Sequence, residues 1–360
     1  MKASDASPYA PSFCAMALLV ACGGSQPPIG APGAGSRALA SATHAEHGMS
    51  WMSPRASGSD LLYVSTTGYI FVYTYPGGES VGTLSGRLGE NGLCSDSAGN
   101  VFTSAMSDSG ESSAIYEYAH GGTSPIATLS DPGIAFGCAF DPTSGNLAVA
   151  NFEDYNNRGD VGDIAVYASE KGTPKIYCCS FFRNYFCAYD GKGDLYVTGD
   201  LPGRGGLKPV IGRLRKGGSF LAEISLSRKL FWASGEFYPS VQWDGHYVTL
   251  SSIPKKRTLH PNNFEFAVYR LNIRGSKATI VGATTFKTGG RNYHVGQVSI
   301  QDKTVLTPYI KRGQRVGFWA YPGGGSPNTA ISVPAFDRLW GLTISVYPSG
   351  AHVRNNHEKP

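Results

Sequence analysis

The amino-acid sequence predicts an all-β fold. The expected architecture is a six-bladed β-propeller of four-stranded antiparallel blades, its ring closed by the N- and C-terminal strands in one blade. Three observations predict it. A Tyr-rich strand running into a glycine turn and out into another strand recurs six times, at roughly the 45–55-residue spacing of propeller blades. A second strand pair, turning through Asp and Gly, precedes the later copies. One inner-strand pattern near the C-terminus has no blade of its own to complete.

The hairpins are Tyr69–Gly78, Ile115–Gly122, Ile164–Gly172, Val210–Gly218, Ala267–Gly275 and Val316–Gly325. Alternating apolar residues suit half-buried strands, and glycine supplies the positive φ of a tight hairpin. The interleaved strand pairs are Gly92–Thr103, Gly137–Val149, Phe186–Val197, Val241–Val248 and Val298–Leu306. An Asp opening each glycine turn caps it through its side chain, so these aspartates are read as structural. The first hairpin follows directly on Leu61–Thr66, and its inner strand is supplied by Trp340–Val346. Such closure removes exposed sheet edges. Blade one is then Asp60–Leu84 plus the C-terminal strand, and the others span 86–130, 131–177, 178–226, 227–287 and 288–332.

Composition agrees. Among 360 residues, 47 are Gly and 12% aromatic, while 16% are charged. This suits a turn-rich β protein. The net charge of +5 falls short of the basic block of a dedicated nucleic-acid binder, and no nucleic-acid partner is expected.

Residues 1–21 read as a signal peptide of the lipoprotein type, because the short apolar stretch from Phe13 ends in Leu19-Val20-Ala21-Cys22-Gly23-Gly24. Cys22 is the expected lipidation site, and a plain secretory signal is the alternative. Residues 22–58 read as a flexible Gly/Ala/Ser/Pro linker, 59–347 as the propeller and 348–360 as a polar tail. The expected localisation is export, with membrane contact through the lipid anchor only, and the expected state is monomeric.

The repeated hairpins and Asp-x-x-Gly turns, across about Asp60–Tyr347, resemble the six-bladed NHL-like and TolB-like propellers of bacterial envelope proteins. The resemblance implies a fold and leaves the function open.

No His-Glu-x-x-His, Cys-x-x-Cys, P-loop or EF-hand pattern occurs. Function is therefore expected on the rim formed by the second-to-third strand loops and the connections between blades. There, Arg183-Asn184-Tyr185 and Arg291-Asn292-Tyr293 repeat a short signature, and Arg87 and Arg338 occupy further connections. Guanidinium forks beside amides and aromatic faces suit carboxylates, phosphates or sugars. These eight residues are the candidate ligand-binding set, for an envelope protein, a glycan or a small anionic ligand. Basic loops add Arg204, Lys208, Lys255-Lys256-Arg257, Lys311-Arg312 and Arg315.

His294 is the one histidine to test as a general base, whereas His120 and His246 sit in turns on the opposite face. No cofactor is required. Calcium is the ion that the oxygen-rich loop 151–163 would suit, with Glu153, Asp154 and Asp160 as candidate ligands. Two functions follow as expectations: a binding or interaction module, or a metal-dependent lyase or lactonase working in the central channel. Among the cysteines, Cys178 or Cys179 with Cys187 is the expected disulfide. Cys138 and Cys187 lie at matching places on neighbouring blades, where bridging is not expected.

Overall fold

The computed structural model describes residues 49–86, 91–154, 161–178, 181–203, 206–228, 230, 238–253, 264–289 and 295–348. The chain divides into two units, Met1–Ala45 and Glu46–Pro360, and every described residue belongs to the second. Among the described residues, no helix is long and apolar enough to cross a membrane.

The strands follow the repeat in order. First come β1 (Trp51–Met52), β2 (Leu61–Thr66), β3 (Tyr69–Thr74) and β4 (Ser80–Ser85). Next are β5 (Cys94–Ser95), β6 (Val101–Met106), β7 (Ser113–Tyr118) and β8 (Pro125–Asp131), then β9 (Ala135–Phe140), β10 (Leu147–Asn151), β11 (Asp163–Ala168) and β12 (Lys171–Cys178). The middle of the chain gives β13 (Arg183–Tyr189), β14 (Leu195–Gly203), β15 (Gly206–Leu214) and β16 (Ala222–Leu226), followed by β17 (Val241–Trp243), β18 (Val248–Ser252), β19 (Glu265–Arg274) and β20 (Lys277–Lys287). The last are β21 (Ser299–Gln301), β22 (Thr304–Ile310), β23 (Gln314–Ala320), β24 (Thr329–Ser332) and β25 (Leu339–Ser345).

These strands form a propeller-like arrangement of small antiparallel sheets, with almost no helix. The sheet orders are β1-β4-β3-β2-β25, β5-β6-β7-β8, β12-β11-β10-β9, β21-β22-β23-β24, and an eight-stranded β13-β14-β15-β16-β20-β19-β18-β17. The last departs from the expected separate four-stranded blades. Its two halves join where β16 and β20 pair in parallel, Ser225 opposite Lys277 and Leu226 opposite Ala278. The outer strand β20 is long, and its first residues overhang far enough to reach the edge of β16. Residues 51–56, inside the stretch read as linker, also carry structure: β1 pairs with β4 at the outer edge of the first sheet, and a short 3-10 turn follows over Pro54–Ala56.

The termini meet as the sequence implies. β2 lies between β3 and β25, with Leu61 opposite Ser345 and Leu62 opposite Ile344. All six residues of β2 are buried.

Apolar side chains fill the spaces between facing sheets. Leu61, Tyr63 and Val72 pack against Leu93, Val101 and Tyr118. Phe102, Ile115 and Leu129 pack against Leu147, Val149 and Tyr167. Burying such a side chain contributes about 1.5–3 kcal/mol.

Near the axis the inner strands approach closely, and glycine makes that possible. A Cβ on Gly341 would lie 2.5 Å from the Asn91 carbonyl oxygen and 2.6 Å from the Gly92 Cα. One on Gly137 would lie 2.7 Å from the Tyr185 carbonyl oxygen. Phe186 and Gln297 occupy the space that the strands leave. The Phe186 ring lies over Gly92. The Gln297 side chain accepts from Leu93 N–H at 3.0 Å and Leu342 N–H at 3.2 Å, and donates to the Leu93 carbonyl at 3.0 Å.

The disulfide differs from the expected one. Cys94 on β5 is bonded to Cys138 on β9, their Cα atoms 5.6 Å apart. Neighbouring inner strands converge enough at this point to bridge. Cys187 is free and buried, its thiol pushed up to about 12 by burial. Cys178 is disulfide-bonded, and Cys187 is not its partner.

Two outcomes are expected. The double variant Cys94→Ser/Cys138→Ser should lose roughly 2–5 kcal/mol of unfolding free energy in a non-reducing denaturant titration, because the bridge closes a long loop of the unfolded chain. Gly341→Ala should cost at least about 2 kcal/mol, since the added methyl meets main-chain atoms that have no room to yield. A melting temperature equal to that of the parent protein would contradict the packing at the axis.

Candidate functional site

The inner strands begin at one end of the axis, and each of three begins with a bulge. On β9, Asn151 faces Ala135 and Ala150 faces Gly137, so Phe136 is the extra residue. On β13, Tyr185 and Phe186 together face Thr198. On β25, Trp340 and Gly341 together face Ser65. A bulge breaks the two-residue alternation and re-aims a side chain. Here it presents an aromatic ring at the strand start each time.

The result is an aromatic rim. Tyr238, just before β17, has its ring centre 4.9 Å from that of Tyr185, 5.0 Å from Phe136 and 6.3 Å from Trp340. Phe152 stacks on Phe136 at 5.7 Å. Phe136 and Tyr185 are buried, whereas Phe152, Tyr238 and Trp340 keep part of their surface open.

Two guanidinium groups flank the rim. Arg183 opens β13 and donates through Nε at 3.0 Å and Nη2 at 2.8 Å to Glu153 Oε1. Its guanidinium carbon also lies 4.5 Å above the Phe152 ring centre and 5.1 Å from that of Phe182. Arg338 is exposed, and its carbonyl is held by the Thr66 hydroxyl at 3.0 Å. Burial raises the Tyr238 hydroxyl above its ordinary value, and the charges of Arg183 and Arg338 both oppose that rise. The Tyr185 hydroxyl donates to Asp200, whose carboxyl is raised by burial against that hydrogen bond and Arg183.

Below the rim lies a buried acid network. Asp131, Asn151, Asp154 and Asp163 are almost fully buried. Asn151 Nδ2 donates to Asp131 Oδ1 at 2.7 Å and to Asp163 Oδ1 at 2.8 Å. Tyr167 donates to Asp131 Oδ2 at 2.8 Å, and Gly133 N–H to Asp131 Oδ1 at 3.0 Å. Asn184 reaches in from β13, donating to the Asp163 carbonyl at 2.9 Å. Burial pushes the Asp131 carboxyl up to about 6, opposed by hydrogen bonds from Gly133, Tyr167 and Asn151. Burial, then the hydrogen bond with Asp154, drives Asp163 well above the usual carboxylate range. A hydrogen bond between two carboxyl groups needs a proton on one of them, so Asp163 and Asp154 act as a pair.

Of the candidate residues, Arg183, Tyr185 and Arg338 come together around Tyr238. Asn184 sits underneath as a buried tie between blades. Glu153 pairs with Arg183, and Asp154 belongs to the acid network. Cys22, Arg87, Asp160, Arg291, Asn292, Tyr293 and His294 lie outside the described residues. Sequence reasoning missed Phe136, Phe152, Tyr238 and Trp340. The signal was present as a large aromatic beside the start of several inner strands, but it falls outside the strand alternation.

Elsewhere, Asp96, Glu117 and Glu170 bring carboxylate oxygens within 4.8 Å of one another. They lie on the hairpin-turn face, opposite the rim. Asp96 is already committed to its turn, accepting from Ala98 N–H at 2.9 Å and Asn100 N–H at 2.8 Å.

No protein-family model and no curated protein matches the chain. Among solved structures it is similar to TolB from Acinetobacter baumannii, at 15% identity and a TM-score of 0.51, over 80% of this chain and 66% of that one. A chain of a mitotic checkpoint complex is similar at 15% identity and a TM-score of 0.45, over 75% of this chain and 73% of that one. The chain therefore spans just under two thirds of the TolB chain. The first likeness shows the fold alone: a β-propeller of the TolB-like type.

The acid network sets a pH dependence. Below the unfolded value near 4, the proton on Asp131 favours neither state. Between that value and about 6 the unfolded chain releases the proton while the fold keeps it, so stability falls, and above about 6 the loss is complete. That stability is present at low pH and lost on going up. The unfolding free energy of the parent protein minus that of Asp131→Asn is expected to fall by on the order of 3 kcal/mol between about pH 4 and pH 7. Urea titrations across that range read it directly. A difference that stays level would show that Asp131 ionises as an ordinary surface acid.

Proposed function

We propose that this chain is an exported, non-catalytic binding module, a six-bladed propeller whose aromatic rim recognises an acidic glycan. The observation that carries the reading is the convergence of Tyr238, Phe152 and Trp340 with the guanidinium groups of Arg183 and Arg338 at one end of the axis. Open aromatic faces stack on the apolar faces of sugar rings, and guanidinium groups pair with carboxylates in a planar fork.

The packing supports six blades. The inner strands neighbour one another in the order β25, β5, β9, β13, β17, β21. Gln297 N–H closes the circuit by donating to the Trp340 carbonyl at 2.7 Å. On this reading the eight-stranded sheet is two blades joined at their outer strands. Among the described residues, Phe186 and Gln297 crowd the starts of the inner strands, which favours recognition at the rim over chemistry inside a channel, as a lyase or lactonase of this fold would require. Tethering through lipidated Cys22, with the residues ahead of β1 as spacer, would keep the module among envelope glycans. The module acts as a monomer, with no nucleic-acid partner.

Titration of the purified protein with oligogalacturonates and with neutral oligosaccharides of equal length tests the proposal. Saturable binding of the acidic series is expected, weakened at least about tenfold by Tyr238→Ala or Arg338→Gln. It should persist after treatment with a chelator. Metal-dependent turnover of the same oligomers, or of lactones, would replace the binding reading with the enzymatic one. No discrimination between acidic and neutral sugars would overturn the assignment of the ligand.

A further inference from the structure

The connection between β22 and β23 builds a second concavity, of about 320 Å³, that shares no lining residue with the aromatic rim. Its walls include Tyr309, Lys311, Arg312, Arg315, Pro327 and Thr329. Three cationic side chains thus face one small space with no carboxylate in its lining. Among the described residues, none of the three forms an ion pair. Lys311 and Arg312 are exposed and Arg315 half-exposed, so water screens their mutual repulsion, while an anion seated among them would be attracted by all three.

The local backbone fixes the cations. Lys311 N–H donates to the Gly313 carbonyl at 3.0 Å, closing a tight loop. Arg312, at the tip, has φ +53, in the left-handed region that favours glycine. Holding a long side chain there costs roughly 1 kcal/mol. Arg315 donates through Nε to the Lys311 carbonyl at 3.0 Å, so its guanidinium plane is set, with the terminal nitrogens directed beyond that bond. Tyr309, opposite Arg315 across the β22–β23 ladder, is buried and forms the floor. Thr329 adds a hydroxyl from β24.

We propose that this concavity is a binding site for a phosphomonoester group. Three cations suit a doubly charged tetrahedral anion better than a single carboxylate. A guanidinium held in plane offers it two parallel donors, with the ammonium as a point charge beside it. The volume lies at the lower end for small-molecule sites, which leaves room for a small organic substituent on the phosphate. The same group occurs on a soluble sugar or glycerol phosphate and on a phosphatidate headgroup.

The purified full-length chain is titrated calorimetrically with inorganic phosphate, glycerol 3-phosphate and acetate at constant ionic strength. It is also sedimented with phosphatidylcholine vesicles with and without phosphatidic acid. Saturable binding of glycerol 3-phosphate is expected if the source is soluble, and binding only to phosphatidate vesicles if it is a lipid. In either case, Arg312→Gln and Arg315→Lys should each weaken binding at least about tenfold. Arg215→Gln, an exposed charge on a hairpin turn, should leave it unchanged. Arg312 and Lys311 are exposed, so Arg312→Gln and Lys311→Gln should keep the parent melting temperature without ligand, which separates lost binding from lost folding. Equal responses to phosphate and acetate, binding untouched by the pocket variants, or no binding in either format would each overturn the proposal. Arg338→Gln tests the rim in the same experiment, so the two sites fail independently.

Discussion

The structure depends on bringing the starts of the inner strands together around one axis. Neighbouring inner strands there are not paired with one another in a sheet. Their open backbone groups must therefore be satisfied across the gap, because a buried unpaired amide or carbonyl costs on the order of 1–3 kcal/mol. Polar side chains supply that link from one blade to the next. Ser65 donates to the Asn91 carbonyl at 2.7 Å, Thr198 to the Pro239 carbonyl at 2.7 Å, and Ser240 accepts from Val298 N–H at 2.9 Å. Gln297 does the same for Leu93 and Leu342 at once. Single main-chain bonds add to these, from Gly92 N–H to the Phe136 carbonyl and from Gln297 N–H to the Trp340 carbonyl, both at 2.7 Å, so the axis is a ring of isolated bonds rather than a continuous sheet.

That arrangement explains the rim. Glycines at the axis let the strands converge, and the bulges beside them take up the change of direction. Each bulge leaves one residue unable to follow the alternation into the layer between sheets. At Phe136, Tyr185 and Trp340 that residue is aromatic, and the rings meet one another across blades. The geometry that closes the ring also collects aromatic surface at its mouth.

Much of the fold was legible in the sequence because hairpins are local. The Asp-Gly turns behave as read: Asp141, Asp190 and Asp244 each accept main-chain N–H groups within their own turns. The C-terminal strand was legible as an unmatched pattern, and it pairs with β2. The missed features join segments far apart in the chain. The β16–β20 pairing depends on how far one outer strand overhangs another. The Cys94–Cys138 bridge depends on convergence at the axis, which spacing does not encode. In the acid network, Asp131, Asn151 and Asp163 end or begin three different strands and look like ordinary turn residues. At the rim, Arg183, Tyr185 and Arg338 were legible as residues, but the aromatic surface between them was not.

The two rim arginines are not equivalent. Arg183 has its charge met by Glu153, and an exposed or half-exposed pair of this kind contributes at most about 1 kcal/mol. Its larger effect is shape: the fork on Glu153 fixes the guanidinium plane, which lies over Phe152 and extends the aromatic surface. Removing Glu153 would leave the charge and lose the orientation. Arg338 is exposed, and among the described residues no acid pairs with it. It supplies the uncompensated charge at the mouth. Beneath the rim, burial raises both Asp163 and Asp200 above the ordinary carboxylate value, so a negative charge there is disfavoured. A surface with flat aromatic faces, one oriented guanidinium and one free positive charge is electrostatically suited to an anion that also has an apolar face.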